Sequence, residues 1–184
     1  MPYLLKGDEM RVTRLFSLIA LLASPCLAQA DAAPAARNAV YLELLGNGGL
    51  YSVNYERIFN DHLAGRIGYS AWNSPALFFD GSAPDRYQTL PVTVSYLLGG
   101  GERKLELGGG VTLGRGTEDR FSNEKRNFSF TTLTGILGYR SHPPGGGYLF
   151  RAGVTPFYSL DDGDDAYPET GFTFSVGVSF GYRF

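Results

Sequence analysis

The sequence predicts an all-β fold: an eight-stranded antiparallel up-and-down transmembrane β-barrel behind a cleaved N-terminal signal peptide. Three observations predict it. First, the last thirteen residues alternate without a break. Phe172, Phe174, Val176, Val178, Phe180, Tyr182 and Phe184 share one face; Thr173, Ser175, Gly177, Ser179, Gly181 and Arg183 share the other. Alternate side chains of a strand point to opposite faces, so this strand suits lipid on one side and a polar lumen on the other. Second, Arg11 and Arg14 precede the apolar run Leu15 to Leu22, and Ala28-Gln29-Ala30 follows. That order of charge, apolar core and small residues is a secretory signal, too short to span a bilayer as a helix. Third, short and long connections alternate along the chain.

Residues 1–30 are therefore assigned to the signal, with cleavage after Ala30 and Met10 as the better start. Cys26, the single cysteine, follows Pro25 rather than the small residue a lipidation site needs, and falls within the signal. The mature chain is left without thiol chemistry or disulfides. Residues 31–38, rich in Ala with Pro34, read as a short disordered lead-in. Residues 39–184 are the barrel. A net charge of −2 suggests no nucleic-acid partner.

The eight strands follow in order. The first, from Ala39 to Leu45, sets Val40, Leu42 and Leu44 against Tyr41 and Glu43. Gly46-Asn47-Gly48-Gly49 turns it. The second, Leu50 to Phe59, sets Tyr51, Val53, Tyr55 and Phe59 outward and Ser52, Asn54 and Glu56 inward. After Asn60-Asp61 the third, His62 to Trp72, sets Leu63, Ile67 and Tyr69 outward and Arg66 and Ser70 inward. A long loop, 73–86, carries Leu77-Phe78-Phe79, which could meet a partner, meet lipid or fold over the mouth. The fourth, Tyr87 to Leu98, contains Pro91, tolerable only at a bulge or irregular pairing.

The fifth strand, Lys104 to Arg115, sets Leu105, Leu107, Val111 and Leu113 outward and Glu106 and Thr112 inward. A polar loop is expected over 116–126. In the sixth, Asn127 to Ser141, Phe128 and Phe130 differ in parity from Leu133, Leu137 and Tyr139, so a bulge is expected near Thr131 or Thr132. The seventh, Tyr148 to Tyr158, follows Pro143-Pro144-Gly145-Gly146-Gly147. A third long loop, 161–170, precedes the eighth. Connections after strands two, four and six are short and those after three, five and seven long; only the first hairpin breaks the scheme. Short periplasmic turns and longer outer loops give this rhythm.

The ending Phe180, Tyr182, Phe184 resembles the C-terminal signal by which outer-membrane proteins are recognised for assembly. The mature chain as a whole resembles the small OmpA/OmpX-like, porin-like outer-membrane barrels of Gram-negative bacteria. The resemblance implies location in the outer membrane, with outer-membrane lipid and the barrel-assembly machinery as partners and a monomeric state. It implies no activity. A soluble lipocalin-like barrel is the rival, with an apolar interior and every orientation reversed.

Eight strands leave a bore just wide enough for side chains to fill. The inward set holds Glu43, Glu56 and Glu106 with Arg66, Arg140 and Arg151. Buried charge requires pairing, so the expectation is a lumen plugged by ion pairs; a gated polar pore is the alternative. Function is expected to be structural or surface-interacting. A narrow channel or transporter for ions or small hydrophobic molecules comes second, and a lipid-modifying enzyme last. His62 and His142 fall in turns, away from where such an enzyme needs a base. No cofactor or resident metal is expected. Asp161, Asp162, Asp164 and Asp165 form a possible weak cation-binding loop but lack EF-hand spacing, and a solvated acidic loop is the simpler reading.

Overall fold

The computed structural model describes residues 36–73, 86–119, 125–160 and 171–184, all within one compact unit, Pro34–Phe184. Eight strands form a closed barrel: β1 (Asn38–Leu45), β2 (Tyr51–Ile58), β3 (Leu63–Asn73), β4 (Arg86–Leu98), β5 (Arg103–Asp119), β6 (Lys125–Ser141), β7 (Gly147–Ser159) and β8 (Phe172–Arg183). Each pairs antiparallel with its neighbour in sequence, and β8 closes on β1 through Ala39↔Arg183 to Leu45↔Gly177. Closure removes the edges that an open sheet would leave unpaired. Asn38 and Phe184 exchange backbone hydrogen bonds at 2.9 and 2.8 Å, so the described N-terminal end and the C-terminus share one rim.

Alternation decides which residue faces where. Val40, Leu42, Val53, Tyr69, Val94, Leu105, Leu137, Val176 and Phe180 are exposed on the outer wall, while Glu43, Asn54, Glu56, Thr93, Glu106 and Arg140 are buried within. Apolar outside and charged inside is the reverse of a water-soluble barrel, which removes the lipocalin-like reading. Pro91 points inward and pairs with Thr112 on β5. On its other side the β3–β4 ladder runs from Ile67↔Val92 to Ser70↔Thr89, lapsing over two residues without a change of register. Gly68 makes room there, since a Cβ on it would lie 2.9 Å from Pro91 Cγ.

Three expectations are corrected. The 116–126 loop is largely strand: β5 runs to Asp119 and β6 begins at Lys125, paired from Arg103↔Ser141 through Asp119↔Lys125. No bulge interrupts β6, because that register is constant over its whole length. Its parity conflict is resolved inside the barrel, where Phe130 is buried and stacks on Tyr87 at 5.4 Å and Phe128 at 6.4 Å. Gly114 opens the space, since a Cβ there would come within 1.9 Å of the Phe130 ring. Finally, the lead-in 31–38 is not free at its end. Asn38 opens β1, Arg37 O accepts from Ile58 N at 2.7 Å, and Ala36 O accepts from Arg183 Nε at 2.5 Å.

Candidate functional site in the barrel lumen

Glu43, Glu56, Arg66, Glu106, Arg140 and Arg151 all lie inside, each at most 5% exposed. Arg66 grips Glu43 with both terminal nitrogens, at 3.1 and 2.6 Å. Arg140 grips Glu56 in the same way and stands 3.8 Å from Glu106. Arg151 forks onto Glu106 through Nε at 2.9 Å and Nη2 at 2.7 Å. Arg140 and Arg151 face each other directly across the β6–β7 ladder; Glu106, reached from β5, binds one and lies near the other. Three carboxylates and three guanidinia thus neutralise one another, which removing the charges from water demands. Bidentate geometry adds direction to the attraction.

Tyr41 is a member of this cluster that pattern reading placed inward but gave no role. It is 2% exposed, accepts a hydrogen bond from Arg151 Nη1 at 2.5 Å, and has two guanidinium carbons within 6 Å of its ring centroid, at 5.0 Å (Arg151) and 5.8 Å (Arg66). Gly181, paired with Tyr41, lets its backbone and Cβ come close, because a Cβ on Gly181 would meet Val40 O at 2.2 Å and Tyr41 Cβ at 2.3 Å.

The first hairpin, which broke the loop rhythm, folds into the barrel. Gly46, Asn47 and Gly48 form a short buried 3-10 turn. Ser175 on β8 accepts from Gly46 N at 3.3 Å, Thr89 on β4 donates to Gly48 O at 3.0 Å, and Thr112 on β5 donates to Asn47 O at 3.4 Å. The turn therefore crosses the bore above the ion pairs. Its entry is strained: Leu45 sits at φ 59°, ψ −161°, a region essentially reserved for glycine. Gly46 and Gly49 supply the further positive φ values of 81° and 90°. Between turn and ion pairs a cavity of about 20 Å³ is bordered by Glu43, Asn47, Arg66, Glu106 and Arg151, space for about one water.

The structure is similar to the N-terminal β-barrel domain of Pseudomonas aeruginosa OprF. The TM-score is 0.58 at 15% identity, over 80% of this chain and 98% of that one. Ail, the attachment invasion locus protein of Yersinia pestis, aligns with TM-score 0.48 at 14% identity, over 82% of this chain and 99% of that one. No protein-family model matches the chain, and no curated protein sequence matches it. This is the fold of the small eight-stranded outer-membrane barrels.

The two ends of the bore differ in chemistry. At the end away from Asn38 and Phe184, Trp72, Tyr87, Phe128 and Phe130 form an aromatic layer, with Trp72 and Tyr87 centroids 5.0 Å apart. At the rim carrying Asn38 and Phe184, Lys104, His142 and Arg183 are buried, and Lys104 donates to Asp61 O at 2.5 Å. His142, just past β6, is 2% exposed rather than an ordinary turn residue. Burial, reinforced by Arg140, Arg183 and Lys104, pushes its imidazole down to about 3. His62 Nδ1 lies 3.0 Å from Leu97 O, and its ring stacks on Tyr96.

Phe180, Tyr182 and Phe184 all face outward at the same rim, with Phe150 and Tyr148 packed against Phe180 and Tyr182. Among the described residues, no group of three or more His, Cys, Asp or Glu is placed to hold a metal ion. The acidic segment Asp161, Asp162, Asp164, Asp165 and the Leu77-Phe78-Phe79 segment lie outside the described residues.

Proposed function

We propose that this chain is an integral barrel of the bacterial outer membrane whose lumen is closed, and that it serves a structural or surface-interaction role rather than conducting solute or catalysing a reaction. The reading rests above all on the Tyr41-centred cluster, in which six charges from β1, β2, β3, β5, β6 and β7 neutralise one another across the bore. The inward turn and the aromatic layer support it, since each occupies the same bore at a different height. Lumen side chains of this kind specify register as well as filling space.

Planar-bilayer recording tests the reading. Wild-type protein is expected to show no sustained single-channel current. Arg66→Ala, which leaves Glu43 buried and unpaired, is expected to admit small intermittent currents. Large steady currents from the wild type would overturn the closed lumen and favour a channel.

A further inference from the structure

The outer wall changes character abruptly on β4–β6. Along β5 the outward positions read Arg103, Leu105, Leu107, Gly109, Val111, Leu113, Arg115 and Thr117. From Leu105 to Arg115 is ten residues, so at about 3.4 Å per residue and a tilt near 40° Arg115 stands about 26 Å above Leu105. An outer-membrane apolar band is about 25 Å tall. Arg115 therefore lies at its outer boundary, as Arg103 lies at the inner one.

The register puts polar partners beside it at the same height. Gln88 and Ser129 are directly opposite Arg115, and the next row joins Arg86, Thr117 and Asn127. Arg115 Nε donates to Gln88 Oε1 at 2.5 Å, which fixes the guanidinium along the wall. Thr117 donates to Asn127 Oδ1 at 2.9 Å. A shallow groove of about 420 Å³ runs between the two arginines. Neither arginine meets a carboxylate among the described residues. Directly below the groove the wall is Leu90, Val92, Val111, Leu113 and Leu133, continuous with the lipid-facing belt.

We infer that this groove is a docking site for the phosphate of an outer-leaflet lipid headgroup, whose acyl chains lie along the apolar wall of β4–β6 below. The inference rests on the outer-membrane reading above. Charge complementarity selects the headgroup, because two guanidinia present forked donors suited to phosphate oxygens, with the Thr117 and Asn127 pair flanking them. Continuity with the belt selects a lipid over a free ion, since only an amphiphile fills both halves of the surface.

The test is native mass spectrometry of the full mature barrel in detergent micelles. It is titrated with a diphosphorylated glycolipid, with a neutral glycolipid of the same acyl chains, and with inorganic phosphate. Wild type is expected to bind the phosphorylated lipid at least about tenfold more tightly than the neutral one, as charge-assisted hydrogen bonds require. The double variant Arg86→Gln, Arg115→Gln should lose that preference, whereas Arg103→Gln at the opposite boundary should keep it. A heat-modifiability gel checks that each variant remains folded. Equal binding of the two lipids, an unchanged preference in the double variant, or capture of inorganic phosphate with the same affinity would each overturn the inference. A wild-type chain that stays soluble without detergent would instead overturn the membrane reading beneath it.

Discussion

Arg151 on β7 and Tyr41 on β1 meet at the centre of the bore, guanidinium against ring at 5.0 Å and Nη1 on the phenol oxygen at 2.5 Å. β8 lies between their strands in the wall, so the contact ties the two ends of the chain together across the closing seam. It also places the phenol within the ion-pair cluster, where the Arg66 guanidinium carbon is 5.8 Å from the ring centroid.

Removing Arg151 should therefore cost more than removing the phenol oxygen. Arg151→Ala leaves Glu106 with the Ser95 hydroxyl and, as its remaining charge partner, Arg140 at 3.8 Å, and is expected to destabilise the barrel by about 3–5 kcal/mol. Tyr41→Phe keeps the ring and both cation contacts, and should cost about 1–3 kcal/mol. Urea unfolding in lipid vesicles, followed through Trp72, the single tryptophan, measures both. A cost near zero for Arg151→Ala would mean that the cluster fills space without contributing to stability.

The strained entry to the inward turn should be relieved by glycine. Leu45→Gly is expected to stabilise the barrel by about 1 kcal/mol, because Leu45 holds a backbone conformation that glycine adopts freely. Gly46→Val should do the reverse. Gly46 has φ 81° and its added Cβ would sit 2.9 Å from Glu43 Cδ, so the turn must leave the bore. Gain of bilayer current in Gly46→Val, absent in Leu45→Gly, would mark the turn as part of the closure; identical traces would not.

Phe130 and Gly114 should behave as a coupled pair. Gly114→Ala drives a methyl into a ring that is already stacked on Tyr87, at an expected cost of about 1–3 kcal/mol. In a Phe130→Ala background the same substitution should cost almost nothing, because the obstructing ring is gone. A double-mutant cycle with no coupling would place Phe130 elsewhere.

Stability should fall in mild acid through His142. Its folded imidazole is held down to about 3, below the ordinary 6.5 or so. The unfolded chain takes up a proton that the folded chain refuses. The contribution of this group is thus fully present above about pH 6.5 and is lost progressively as the pH falls toward 3. His142→Gln removes the titration, so its urea midpoint should fall less than that of wild type between pH 7 and pH 4. Parallel curves for the two proteins would contradict this.

Outer-membrane assembly should depend on Phe184. Phe184 faces outward and is 56% exposed, so Phe184→Asp puts a charge at the lipid-facing rim. Folded protein in the outer-membrane fraction is expected to drop while export across the inner membrane continues. Wild-type amounts would count against a role in assembly.

The sequence by itself determined the strand count, the faces and the inward identity of all six lumen charges. The physical reason is the period of two: a wall between lipid and a polar bore writes its orientation into every second residue. Where that period conflicted, as between Phe128, Phe130 and Leu133, the tertiary structure decided. Local alternation cannot tell that a ring opposite Gly114 has room inside, because the cavity is made by β5 rather than β6. Partner choice was likewise beyond reach. Which carboxylate each arginine grips depends on stagger and tilt around a closed circle, and Arg140 on β6 reaches Glu56 on β2, 84 residues away. The inward turn was visible only as an exception, a short connection where a long one was expected. Closing the barrel brought Ser175, Thr89 and Thr112 within hydrogen-bond reach of its backbone, and those long-range partners, absent from any local pattern, turn a tight hairpin loop into part of the core.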